Sequence, residues 1–193
     1  MDNNKNSISG EEITRKNAHN TVPDEVYRLY DSVIDNMRDS LIKAGARGHT
    51  LVITDPYLLS SGPIAVAVDL TELLLEISPS KVISICKHGE KHAGTEQLIC
   101  EDLRGAGINF YAVTDRDDLF HDRFWFVPCL GTGIVIGASF NGISSGRMFY
   151  MNDLTGGEVR GICEYLGDHG MLCLPPFTPL CGNAECRTKD SLC

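Results

Sequence analysis

The sequence lacks the features that direct a chain into or across a membrane. It contains no continuous apolar run near the ~18 residues that a membrane-spanning helix needs. Its first residues, 1–12, have no apolar core behind their charged side chains, so we expect no secretory signal. These absences predict a cytoplasmic protein without a transmembrane segment.

Basic residues are also scarce. The chain has 17 Lys and Arg against 26 Asp and Glu, which gives a formal net charge of −9. Proteins that bind nucleic acid over a broad surface carry basic faces, so this balance argues against that class. It does not argue against one local positive pocket, because net charge says nothing about a single cleft.

No C-x-x-C pair, the usual sign of a zinc ribbon, occurs among the eight cysteines. In a reducing cytoplasm most of them should be free thiols. Four lie singly in apolar segments and are interpreted as small buried hydrophobes: Cys86, Cys100, Cys129 and Cys163. The others crowd the carboxyl terminus, where a metal or disulfide role and an irregular tail both stay open: Cys173, Cys181, Cys186 and Cys193.

The length of 193 residues predicts one domain with extensions at its ends. Residues 1–20 are polar and rich in Asn, which indicates a disordered leader. The domain itself is assigned to residues 21–172. Residues 173–193 form the Cys-rich tail.

Strand and helix patterns alternate along the domain. A helix is predicted from Thr21, as N-cap, to a stop at Gly45. The later elements are predicted at strand 50–54, helix 64–77, strand 81–86, helix 95–105, strand 108–113 and helix 158–167. Such alternation is typical of βαβ units and predicts an α/β fold. Ligands of such folds bind beyond the carboxyl ends of strands, which is where Asp55 follows the first strand.

The most informative stretch combines a predicted strand at 121–127 with a Ser-x-Asn sequence at 139–141. Strand alternation points His121 and Arg123 the same way. A turn at 131–133 and a strand running back to Ser139 and Asn141 would bring these four side chains to one end of a hairpin. An imidazole, a guanidinium and a carboxamide that converge on one spot suit a phosphoryl group.

These residues resemble the phospholipase D-like superfamily, whose motif is His-x-Lys, four residues, Asp, and then Gly/Ser-x-Asn. His121 matches the nucleophilic His of that motif, and Ser139 and Asn141 match its second half. Arg123 stands where the family has Lys, and Pro128 stands where the family has Asp. A guanidinium can still bind phosphate, in a bidentate rather than a point-charge manner.

The resemblance implies a phospholipase D-like, mixed and mostly parallel sheet flanked by helices. It implies a phosphodiesterase, most plausibly a nuclease, that needs neither metal nor cofactor and acts through a phosphohistidine. The implied catalytic residues are His121, Arg123 and Asn141, with phosphate held by Arg123, Ser139 and Asn141 and with Asp55 as an orienting carboxylate. Since only one half-motif is present, the resemblance also implies a homodimer that shares its site. The implied substrate or ligand is a phosphodiester, in nucleic acid or a lipid head group.

Two alternatives remain open. The chain could be a non-catalytic module that binds phosphate, phosphoinositide or nucleic acid through a degenerate site, or an interaction or sensor subunit of a larger system. Each site residue also has a structural interpretation. Arg123 could pair with Asp122 or another carboxylate, Asn141-Gly142 could be a turn, and Trp125 is expected in the core.

Overall fold

The structure is a computed structural model that describes residues 24–60, 64–115, 122–143 and 150–172. Its helices, numbered α1 to α5, are Asp24–Lys43, Ile64–Ile77, Ala93–Gly105, the short Phe140–Ile143 and Gly156–Asp168. Its strands, numbered β1 to β6, are Thr50–Thr54, Lys81–Lys87, Asn109–Asp115, Arg123–Val127, Thr132–Ile136 and Met151–Leu154. The predicted leader, the predicted N-cap Thr21 and the Cys-rich tail lie outside the described residues.

The six strands form one sheet in the order β3-β2-β1-β4-β5-β6. Strands β1, β2 and β3 are parallel neighbours, joined by crossovers through α2 and α3. Strand β4 pairs with β1 in the antiparallel sense, and β5 and β6 continue the antiparallel ladder. The α/β class and the mixed sheet are therefore confirmed. The expectation of a mostly parallel sheet is wrong for the described strands, because three of their five pairings are antiparallel.

The two faces of the sheet are covered differently. The larger apolar cluster lies on the face packed by α1, α2 and α3, and it includes the fully buried Trp125, as predicted. The ring of Phe140 at the start of α4 packs 6.0 Å from that of Trp125, centroid to centroid. The smaller cluster lies on the opposite face, where Val159 and Leu166 of α5 pack against Phe126. Burial of these side chains is the main stabilising contribution to the fold.

The predicted helices occur close to their expected positions, and α2 has the predicted bounds. Helix α3 begins before the predicted Thr95, because the ring nitrogen Nδ1 of His92 accepts the Thr95 N–H and caps the helix. Helix α5 begins before the predicted Glu158, which instead completes a capping box with Thr155. Both shifts come from side chains that satisfy the unpaired N–H groups of a first turn.

The region after β4 differs from the sequence expectation. The turn occupies residues 128–131, and Gly131 adopts a positive φ of 65° there. Strand β5 ends at Ile136 rather than continuing to the Ser-x-Asn sequence. Ser139 therefore lies between a bend at residues 137–138 and α4, and Asn141 lies in α4. Helix α4 and strand β6 were not predicted. None of the helices in the described part of the chain is long and apolar enough to cross a membrane.

Candidate functional site

The residues of interest meet at the edge of the sheet where β1 and β5 end and β4 begins. Asp55 directly follows β1, Arg123 is the first residue of β4, and Ser139 follows the end of β5. In the β1–β4 ladder Ile53 pairs with Trp125 and Thr54 pairs with Phe124. The next position along each strand places Asp55 opposite Arg123, on the same face of the sheet as Ile53 and Trp125. His121 lies outside the described residues.

Asp55 is the most deeply buried charged residue at this edge, with no exposed surface. The hydroxyl of Ser139 donates to both carboxylate oxygens, at 2.8 Å to Oδ1 and 3.0 Å to Oδ2. The backbone N–H of Tyr57 donates to Oδ1 at 3.0 Å, and that of Phe140 donates to Oδ2 at 3.0 Å. Every one of these contacts uses the carboxyl group as an acceptor, which fits its ionised form.

Asn141 ties the same two segments together a second time. Its Nδ2 donates to the backbone oxygen of Tyr57 and, at 2.8 Å, to Oγ of Ser60. The Ser60 hydroxyl donates in turn to the Tyr57 oxygen at 2.9 Å. The loop that follows β1 and the first turn of α4 are thus joined through both Asp55 and Asn141.

Arg123 provides a cation beside this network. Its Nε is buried and has no hydrogen-bond partner among the described residues. It is near enough to Asp55 for its charge to lower the pKa of that carboxyl group. The other buried donor without a partner in this part of the chain is Nε1 of Trp125, two residues further along the same face of β4.

Opposing influences act on the ionisation of Asp55. Burial raises the pKa of its carboxyl group above the ordinary value of 3.8, because the charged form is removed from water. Hydrogen bonds from Phe140, Tyr57 and Ser139 and the charge of Arg123 oppose that rise, but burial is the largest effect. The Asp55 carboxyl group therefore ionises less readily in the folded protein than in the unfolded chain.

This direction predicts how stability depends on pH. A folded-state pKa above the unfolded value means that the folded state binds the proton more tightly. The Asp55 contribution to the free energy of unfolding should therefore be full below pH 3.8 and be lost as pH rises through the folded pKa. Urea unfolding of wild type and Asp55→Asn across this range should show the wild type losing its relative stability with rising pH. A relative stability that increased with pH would contradict the assigned direction.

The structure thus brings Asp55, Arg123, Ser139 and Asn141 to one edge, and all four are among the site residues predicted from the sequence. The hydroxyl of Ser139 donates to Asp55, and Nδ2 of Asn141 donates to Tyr57 and Ser60. The sequence analysis missed the part played by Tyr57 and Ser60, whose backbone and hydroxyl groups complete the network. Their only sequence signal is that they follow Asp55-Pro56 at a strand exit, which is common to many loops.

Lys91, in the loop before α3, forms an ion pair of 2.7 Å with Glu96. Burial raises the pKa of the Cys86 thiol to about 11, so this buried cysteine of β2 is kept in its uncharged form. No cluster of three or more His, Cys, Asp or Glu side chains suited to a metal ion occurs within the described ranges.

Comparison of the sequence with models of known protein families finds no match, and comparison with curated proteins finds no significant relative.

Proposed function

We propose that the protein is a phospholipase D-like phosphodiesterase, a metal-independent nuclease that acts through a phosphohistidine in a homodimeric site. The observation that supports this most is Arg123, a partly exposed side chain at the edge where β1 ends, whose buried Nε has no acceptor among the described residues. Leaving such a donor unpaired is unfavourable by about 1–3 kcal/mol or more, so an anionic oxygen is its natural partner. His121 stands two residues before it in the sequence.

In the proposed reaction, an imidazole nitrogen of His121 attacks the phosphorus atom. A P–N bond forms while the P–O bond to the leaving group breaks, and His121 of a second copy gives its proton to the leaving oxygen. Water then attacks the phosphohistidine, and the second imidazole takes the proton from that water. The P–N bond breaks, which releases a phosphate monoester and restores both imidazoles. Arg123 stabilises the charge on the phosphoryl oxygens throughout.

One observation favours a second candidate function. The hydroxyl of Ser139 and Nδ2 of Asn141 are engaged with Asp55, Tyr57 and Ser60. A site that uses these groups internally has fewer donors for a transition state, while Arg123 alone can still bind an anion. The alternative is therefore a non-catalytic module that binds a phosphate group.

Removal of divalent ions distinguishes the proposed chemistry from metal-assisted hydrolysis. Hydrolysis of bis(p-nitrophenyl) phosphate and of single-stranded DNA should continue in excess EDTA within about twofold of the untreated rate, because His and Arg supply the chemistry. The measurement is the initial rate with and without chelator. Activity that disappears with EDTA and returns with Mg²⁺ or Zn²⁺ would overturn the metal-independent mechanism.

Assembly provides a separate test. Two imidazoles are needed, and the chain carries one half-motif, so we expect a homodimer in solution at micromolar concentration. Sedimentation velocity measures this directly. A monomer at that concentration would remove the basis for the two-histidine reaction.

A further inference from the structure

The hydrogen bonds of Asp55 join parts of the chain that are far apart in sequence. Its partner Ser139 is 84 residues away and Phe140 is 85 residues away, while Tyr57 belongs to its own loop. The same loop receives Nδ2 of Asn141. We call this set of contacts the Asp55 clamp: the carboxylate of Asp55, the hydroxyl of Ser139, the backbone N–H groups of Phe140 and Tyr57, and the Asn141 carboxamide.

Ser139, Phe140 and Tyr57 all donate hydrogen bonds to the Asp55 carboxylate. The side chain opposite Asp55 in the β1–β4 pairing is Arg123. The carboxylate and the guanidinium face each other across the β1–β4 pairing, within electrostatic reach but without a direct hydrogen bond. A fixed carboxylate in this position attracts the guanidinium and limits its orientations. Its own oxygens stay occupied by Ser139, Phe140 and Tyr57, so Nε of Arg123 is left for another acceptor.

We infer that Asp55 is a positioning residue, which fixes Arg123 at the sheet edge, and that Ser139 and Asn141 support it through the clamp instead of contacting phosphate. The sequence comparison with the phospholipase D-like motif assigned phosphate contact to these two side chains. In this chain their donors stabilise the β1–α2 loop and the first turn of α4. The consequence for phosphate binding rests on the proposed function, whereas the orientation of Arg123 does not.

The test uses Asp55→Asn, which keeps the size of the side chain but removes its charge and one acceptor oxygen. The matched control is Asp122→Asn, the same chemical change at an exposed carboxylate next to Arg123 in sequence. The first measurement is the ¹H–¹⁵N signal of Arg123 Nε–H, assigned by its loss in Arg123→Lys. Because this nitrogen is buried, wild type should show a protected signal.

In Asp55→Asn this signal should shift and exchange with solvent faster, and in Asp122→Asn it should keep its wild-type position and exchange rate. The second measurement is the Kd for inorganic phosphate, obtained by calorimetry. Misplacement of one charge-assisted donor should raise that Kd roughly tenfold in Asp55→Asn and leave it unchanged in the control. Circular dichroism verifies that each variant is folded.

If Asp55→Asn does not fold, Ser139→Ala takes its place, because it removes one donor to Asp55 and keeps the charge. The same changes in Arg123 Nε–H are then expected with smaller size. An unchanged Nε–H signal in folded Asp55→Asn or Ser139→Ala would overturn the inference, as would an unprotected or absent signal in wild type. A wild type with a protected signal that responds to Asp55→Asn, but with no phosphate binding, would refute the proposed function and leave the positioning role of Asp55 established.

Discussion

Replacing His121 by alanine is expected to lower phosphodiester turnover on the order of 10³-fold or more, because it removes the nucleophile. The Kd for inorganic phosphate should change by less than about threefold, since attack on phosphorus contributes to the transition state and not to ground-state binding. The measurements are kcat on bis(p-nitrophenyl) phosphate and the Kd by calorimetry.

His49→Ala is the matched control for this variant. His49 precedes β1 at the opposite end of the sheet, where its Nδ1 lies 3.1 Å from the backbone oxygen of Arg47. We expect wild-type turnover from it. If His121→Ala loses phosphate binding and wild type shows no hydrolysis of DNA, RNA or a generic phosphodiester, the enzyme proposal fails and the binding module takes its place.

Arg123→Ala is expected to raise the Kd for inorganic phosphate about 10- to 150-fold, which corresponds to loss of a charge-assisted contact of about 1.5–3 kcal/mol. Turnover should fall with it, because the same contact stabilises the developing charge. The variant also removes the cation opposite Asp55, so its stability is compared with wild type by urea unfolding before the binding data are interpreted.

Arg123→Lys separates the two candidate functions. It introduces the residue of the enzymatic motif, so a catalytic site should keep or increase its turnover. A binding site shaped around a guanidinium should lose affinity, since a Lys ammonium is a point charge without the planar fork and has no equivalent of Nε. The phosphodiesterase proposal would be contradicted if Arg123→Lys lost phosphate affinity and neither wild type nor Arg123→Lys hydrolysed a phosphodiester.

Much of the fold follows from local sequence patterns. The strand at Thr50–Thr54 contains the apolar run Leu51-Val52-Ile53 between two threonines, and the helix at Ile64–Ile77 follows Pro63 and ends before Ser78-Pro79 in the sequence. Both could therefore be placed from the sequence. Strand β6 is only four residues long and reads Met-Asn-Asp-Leu, with no alternation to reveal it. Strand β6 forms because it pairs with β5. This tertiary contact cannot be predicted from the β propensity of its four residues.

The position of the candidate site in the fold could be predicted from the sequence, but its hydrogen bonds could not. Asp55 stands out because it follows a buried strand, and Arg123 because strand alternation places it on one side of β4. The hydroxyl of Ser139 points towards Asp55 because β5 ends at Ile136 and the chain then bends into α4. The sequence does not indicate this end of β5. The sequence predicted a strand that continues to Asn141. In such a strand the side chains of Ser139 and Asn141 would point in other directions than they do in the structure.

The pairing of β1 with β4 has a consequence for biosynthesis. Strand β1 pairs with β2 on one side, and its other edge stays open until β4 is made. Phe124 of β4 is made 70 residues after its neighbour Thr54 in β1, which at roughly 5–20 residues per second is about 4–14 seconds. Throughout this interval the open edge of β1, with its apolar residues Leu51, Val52 and Ile53, can pair with a neighbouring nascent chain. Ribosomes stalled before residue 123 should therefore release products that aggregate.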